Sequence, residues 1–184
     1  LGFERGATVM DRSDGEEILG QAKDHLKIGK GDRKFPKRAT ILGLYSKSRN
    51  KELSLSQVLR QEAYHLGTYE DDLARLFAEY ERLKHECGLL DYDDLLFLLE
   101  RLLTEHPHIR ESVTSSISHI MVDEYQDTNL VQARLVRLLT KPGDANPNIM
   151  AVGDDAQSIY AFRGANVRNI LDFPKTFPGT RVIK

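Results

Sequence analysis

Ile120-Met121-Val122-Asp123-Glu124-Tyr125-Gln126-Asp127-Thr128-Asn129 joins an apolar run to a cluster of polar and acidic residues. Three apolar residues run straight into two adjacent carboxylates. A buried parallel strand ends in this way when its tip holds a metal ion beside a phosphate. The same pattern also fits a buried strand that merely ends in an acidic loop. Downstream, a second apolar run, Ile149-Met150-Ala151-Val152, opens into Gly153-Asp154-Asp155-Ala156-Gln157-Ser158-Ile159-Tyr160-Ala161-Phe162-Arg163-Gly164-Ala165. Ligands of doubly wound sheets sit beyond the carboxyl ends of the strands, so both polar tips are expected at one edge. Asp123 and Glu124 arrive there from one strand, Gln157 and Arg163 from the other. The carboxylates call for a metal ion, and a guanidinium can reach phosphate oxygens or clamp a carboxylate. Tyr160 and Phe162, one residue apart in a polar loop, fit either a base-stacking platform or core packing beneath it.

Around these runs the pattern alternates: strand 118–122, helix 130–139, strand 148–152, helix 167–173 and a short strand 181–183. Such alternation predicts a parallel sheet with right-handed crossovers. Three strands leave two raw edges, so the sheet is expected to be completed by strands elsewhere in a longer polypeptide. Upstream, residues 1–116 read as helical. Ser13-Asp14-Gly15-Glu16 fits a capping box before Ile18, Leu19, Ala22 and Leu26. Pro36 suits the first turn of a second helix, and a short third is expected over 53–63. Leu73, Leu76, Phe77, Tyr80, Leu83 and Cys87 define a fourth, ended by Gly88. Asp91 or Asp93 caps the next, which Pro107 closes.

Hydrophobic residues at 40% and charged ones at 29% are ordinary for a soluble globular protein. No apolar run is long enough to span a bilayer, and no stretch reads as a signal peptide. The single cysteine, Cys87, excludes an internal disulfide, fits a reducing, cytoplasmic setting and reads as a small buried hydrophobe. The histidines are scattered, and no Cys/His metal cluster stands out. Charge is uneven: residues 23–51 carry ten basic side chains against Asp24 and Asp32, a net of +8 in a chain of net −2. That asymmetry fits backbone contacts to a polyanion, with Lys47, Arg49 and Lys51 as candidate DNA-binding residues, or a solvated helical face.

Together, Asp123 to Asn129 and Val152 to Ala165 resemble motifs II and III of the UvrD/Rep/PcrA family, superfamily 1 DNA helicases that move 3′ to 5′ on single strands. Leu89-Leu90-Asp91-Tyr92-Asp93-Asp94-Leu95-Leu96 resembles that family's short motif before motif II. The resemblance implies an α/β fold. Residues 1–116 would be a helical subdomain inserted in the first motor domain, and 117–184 the second half of a P-loop NTPase (RecA-like) parallel-sheet domain. It implies ATP and Mg²⁺ as cofactors, single-stranded and duplex DNA as partners, no membrane, and further helicase domains in the parent chain. By the same resemblance Asp123 and Glu124 would hold Mg²⁺, with Glu124 as general base. Gln157 would sense the γ-phosphate, Arg163 would bridge the nucleotide and Glu124, and Tyr160 and Phe162 would stack on bases. Gln126 and Asp127 would supply site-organising hydrogen bonds. Ala156 replaces a frequent Asp, and Phe162 stands where many members have Trp.

No Gly-x-x-x-x-Gly-Lys-Ser/Thr is present: after Gly15 and Gly20 come Gln21 and Ala22. The chain is therefore expected to be an interior fragment that does not hydrolyse ATP alone. Two other readings remain open, a helicase-nuclease recombination subunit and a non-catalytic DNA-binding module.

Overall fold

Helical periodicity governs the first half of the chain. The computed structural model describes residues 6–145, 147–157 and 165–183. The chain divides into two compact units, Leu1–Leu95 and Leu96–Lys184. The expected boundary after residue 116 thus falls inside the second unit. The segment just after Leu95 has its partners there: Leu96, Phe97 and Leu103 pack with Val131 and Leu135.

In the first unit, β1 (Thr8–Val9) pairs in parallel with β2 (Leu89–Leu90). Met10 N–H continues the pairing to the Leu90 carbonyl at 2.8 Å, which keeps the chain extended until Asp11. Helix α1 (Arg12–Leu26) is therefore capped by Asp11, reciprocally with Asp14, two residues earlier than Ser13 would place it. Helix α2 (Arg38–Asn50) starts after Lys37, so Pro36 lies outside it, buried next to Phe35. A capping box of Ser54 and Gln57 opens α3 (Leu55–Glu62), and a 3₁₀ turn, Tyr64–Tyr69, leads into α4 (Glu70–Glu86). Leu73, Leu76, Tyr80 and Leu83 of α4 are buried as their spacing predicts. Cys87 is exposed, contrary to expectation, because α4 ends at Glu86 and the buried stripe ends with it.

Helix α5 (Tyr92–Glu105) begins in the first unit, where Asp91 and Asp94 cap reciprocally: Asp94 N–H reaches Asp91 at 2.8 Å and Asp91 N–H reaches Asp94 at 2.9 Å. Pro107 does more than end α5. It occupies the first turn of another helix, α6 (Pro107–Ser115), where its missing N–H costs nothing.

The second unit holds β3 (Ile120–Val122), α7 (Leu130–Leu138) and β4 (Ile149–Ala151), the strands parallel with Met121 opposite Met150. One sheet face, with Val122, Ile149 and Ala151, packs on Tyr125, Phe173 and Phe177. The other carries Met121, Met150 and Val152, all at least half exposed, so these strands are not buried on both faces as expected. The expected helix 167–173 is two short ones, α8 (Arg168–Leu171) and α9 (Phe173–Thr176). Pro174 explains the break: its ring would clash with the carbonyl four residues back. Residues 181–183 form no strand, since their backbone pairs with neither β3 nor β4. Among the described residues the fold is mostly helical with two small parallel sheets. No described helix is long and apolar enough to cross a membrane.

Candidate functional site at the strand tips

Both strands of the second unit deliver their polar ends to one edge because they run parallel in register. Beyond β3 the chain turns sharply: Glu124 adopts the left-handed region at φ 50, and residues Tyr125–Asp127 form a 3₁₀ turn. Asp123 helps set that turn, its Oδ1 accepting the Glu124 N–H at 2.9 Å. Tyr125 N–H donates to the Val152 carbonyl at 2.9 Å, tying the turn to the end of the second strand. Burial pushes the Tyr125 phenol pKa up, and its ring meets Phe173 edge-on at 5.3 Å.

The centre of the arrangement is Gln126, a residue only 1% exposed. Its Nε2 donates to Glu124 Oε2 at 2.6 Å, and its Oε1 accepts the Asp154 N–H at 3.0 Å. One amide therefore fixes the carboxylate of the first tip and the backbone of the second. Gly153 makes this approach possible, since a Cβ there would meet Gln126 Oε1 at 2.4 Å and Ile170 Cδ1 at 2.5 Å. Asp154 in turn accepts from Gln157 Nε2 at 2.7 Å and from Ala156 N–H at 2.9 Å. Gln157 is thus held in the second tip, on Asp154, and makes no bond to Glu124. Asp127 Oδ1 is buried without a hydrogen-bond partner. Behind the turn, Asn169 Nδ2 donates to the Thr128 carbonyl at 2.9 Å and the Asn129 carbonyl at 3.2 Å.

Mg²⁺ prefers one or two carboxylates, several waters and phosphate oxygens to an all-protein cage. The donor set fits that habit. Asp123 and Glu124 are exposed, and each keeps one carboxylate oxygen outside the hydrogen bonds that orient it. Among the described residues no group of three or more His, Cys, Asp or Glu side chains could hold a metal.

Residues 1–178 match the family described as UvrD/REP helicase N-terminal domain. The chain belongs to that family. It is similar over its whole length to the ATP-dependent DNA helicase PcrA of Staphylococcus aureus (strain Mu50 / ATCC 700699), with 35% identity. The PcrA of Staphylococcus epidermidis is 33% identical, again over the whole chain. YjcD of Bacillus subtilis (strain 168) is 38% identical over 72% of the chain. The chain spans 24% of each PcrA and 19% of YjcD.

Of the residues singled out for this helicase family, Asp123, Glu124 and Gln157 lie on the two tips described above. Tyr160, Phe162 and Arg163 lie outside the described residues. Lys47, Arg49 and Lys51 belong to the first unit and face carboxylates. Lys47 and Lys51 both pair with Glu62, Lys51 at 2.6 Å. Burial pushes the Glu62 carboxyl up, but hydrogen bonds from the two lysines outweigh it and leave its pKa lowered. Arg49 donates to Asp94 at 2.6 Å and to Tyr45 Oη at 2.8 Å. Sequence reasoning missed Asp154 and Asn169. Asp154 was readable as the first polar side chain after the second strand; Asn169 left no signal beyond its place on a short helix.

Proposed function

We propose that this chain works in an ATP-dependent DNA helicase, one that couples ATP hydrolysis to 3′–5′ movement on single-stranded DNA and to duplex unwinding in repair or replication. Residues 1–116 are then the helical subdomain inserted in the first motor domain, and 117–184 a part of its RecA-like sheet, in a cytoplasmic enzyme. The observation that carries the reading is the Gln126 amide spanning Glu124 and Asp154. It makes the two tips a single polar assembly rather than two unrelated acidic loops.

The roles follow from geometry and charge. Mg²⁺, when bound, supplies positive charge that offsets the phosphates of ATP. Asp123 and Glu124 are the residues that would hold it. Glu124 takes the proton of the attacking water, and the hydrogen bond from Gln126 aims its carboxylate. Gln157, held by Asp154, gives the second tip a side-chain amide for the terminal phosphate. Glu124→Gln keeps size and shape while removing the base. In the full-length protein it is expected to lower DNA-stimulated ATPase by about 10²–10⁴-fold with the melting temperature unchanged. Undiminished phosphate release from that variant would overturn the reading.

A further inference from the structure

Glu124 occupies a backbone conformation that its residue type does not favour. Among the described residues, three that are not glycine have positive φ: Lys27, Glu52 and Glu124. Lys27 and Glu52 lie just past the ends of α1 and α2, where a left-handed residue commonly terminates a helix. Glu124 has no helix before it. It follows β3, at φ 50 and ψ 41. A long side chain stays in that region only where its surroundings hold it there.

The turn is held at both ends. At its entry, Asp123 accepts the Glu124 N–H and Gln126 donates to the Glu124 carboxylate. At its exit, Thr128 closes back on the Tyr125 carbonyl, through its N–H at 3.2 Å and its hydroxyl at 2.6 Å. Asn169, on α8, grips that exit. Its Nδ2 donates to the Thr128 carbonyl at 2.9 Å, to Thr128 Oγ1 at 3.1 Å and to the Asn129 carbonyl at 3.2 Å. Asn129 is also the N-cap of α7, so one amide ties the exit of the turn to the start of that helix. Docking of α8 has a separate source, since Ile170 packs against the cluster of Tyr125, Phe173 and Phe177.

We infer that Asn169 is a positioning residue for the hydrolytic step: it fixes the exit of the turn and so keeps Glu124 left-handed, with its carboxylate aimed. This rests on the helicase reading for the role of Glu124 as base. All the hydrogen bonds of the Asn169 side chain go to Thr128 and Asn129, and none to Glu124 or Gln157. It therefore acts on the geometry of the base and leaves nucleotide affinity alone.

Two measurements test this. In the 184-residue chain, the carbon chemical shifts of Glu124 Cα and Cβ report its backbone region, and Asn169→Ala is expected to move them toward ordinary negative-φ values. In the full-length protein, the same variant is expected to lower kcat for ATP hydrolysis by about 10–100-fold, the cost of a misplaced reacting group. The KM for ATP should stay within about twofold, because no ground-state contact is lost. Thr128→Val removes only the hydroxyl and should shift both readings the same way by less. Phe177→Leu loosens the same apolar cluster and breaks no hydrogen bond of the turn. It should lower the melting temperature and leave kcat and the Glu124 shifts in place. Unmoved Glu124 shifts in Asn169→Ala, or in Thr128→Val where the alanine variant does not fold, would overturn the inference. So would a rise in KM with kcat intact, or an equal loss of kcat in Phe177→Leu. Glu124→Gln reads the underlying assignment separately. If it hydrolyses ATP undiminished, the helicase reading falls; if it is inactive and Asn169→Ala is not slowed, only the role of Asn169 falls.

Discussion

Residues 1–95 gather seventeen buried apolar side chains into one cluster, from Met10 to Leu83. Among the described residues after Leu95, the buried apolar side chains fall into two clusters of three. The first unit adds a buried ionic knot to its core: Lys84 Nζ lies 2.8 Å from Asp91, 2.9 Å from Asp94 and 4.8 Å from the centre of the Tyr80 ring. Among its described residues the second has no comparable knot; its strand tips are joined by the neutral amide of Gln126, and that of Asn169 braces the turn behind them. Each unit therefore tolerates change in different places. The first is held by burial and charge among its own helices; the second carries the chemistry-bearing tips on a thin core, where single hydrogen bonds set geometry.

Breaking the knot gives the largest expected effect. Lys84 is 2% exposed, so Lys84→Met leaves Asp91 and Asp94 with one cation fewer in a dry setting. Removing one partner of a buried pair costs about 3–5 kcal/mol, whereas replacing both sides by apolar groups is often near neutral. Denaturant titration should show that full loss for Lys84→Met. Adding Asp94→Leu should recover part of it. A loss under about 1 kcal/mol for the single variant would erase the contrast between the units.

The same knot sets a pH window. Burial pushes the Asp94 carboxyl up, but hydrogen bonds from Lys84 and Arg49 outweigh it, and its pKa is lowered. Its contribution is present above the ordinary carboxylate range, near pH 4, and is lost as pH falls through the lowered value. For Lys84, burial lowers the pKa while Asp91, Asp94 and Glu81 raise it, with a net rise. That contribution is complete below the ordinary lysine value and is lost as pH climbs through the raised one. Melting temperature against pH should fall at both ends, below the ordinary carboxylate range and above the ordinary lysine value. Lys84→Met should remove the alkaline fall, and an unchanged alkaline limb would reassign it to another group.

In the second unit, Gly153→Ala places a Cβ against Gln126 Oε1 and Ile170 Cδ1. Overpacking of this kind costs about 1–3 kcal/mol. It should also free the Asp154 amide, seen as faster hydrogen exchange there. Slow exchange at Asp154 in a destabilised variant would mean that the chain shifts as a body and keeps the Gln126 bond.

What the sequence made legible follows the same contrast. The α4 face was readable because Leu73, Leu76, Tyr80 and Leu83 repeat at helical spacing and bury within one helix. Asp123 and Glu124 were readable because an apolar run ends in two carboxylates. The pairing of β1 with β2 was not, since two-residue strands carry no alternation to detect. Lys84 was hidden for a different reason. A lysine beside Leu83 looks like the polar edge of a helix until the fold brings Asp91 and Asp94 over it. The third strand was over-read: apolar Val182 and Ile183 fit a strand by type, but type alone supplies no partner.

The smallest effect gives the finest comparison, between two reciprocal helix caps, one a carboxylate and one an amide. Asp11 caps the fifteen-residue α1, its Oδ1 accepting from Ser13 N–H at 2.7 Å and Asp14 N–H at 3.0 Å. Asn129 caps the nine-residue α7, accepting from Gln132 N–H at 2.8 Å, and its own carbonyl receives Asn169. Alanine at either position should cost about 1 kcal/mol. The consequences should differ in reach. Asp11→Ala is expected to speed hydrogen exchange at Ser13 and Asp14 and little else, because Ile18, Leu19 and Ala22 keep α1 docked in the large core. Asn129→Ala should spread to Asn166, whose N–H donates to the Thr128 carbonyl at 3.0 Å in the turn that Asn129 and Asn169 brace. If exchange at Asn166 stays as slow as before, the tips do not depend on neutral side-chain bonds, and the thin core alone is enough to hold them.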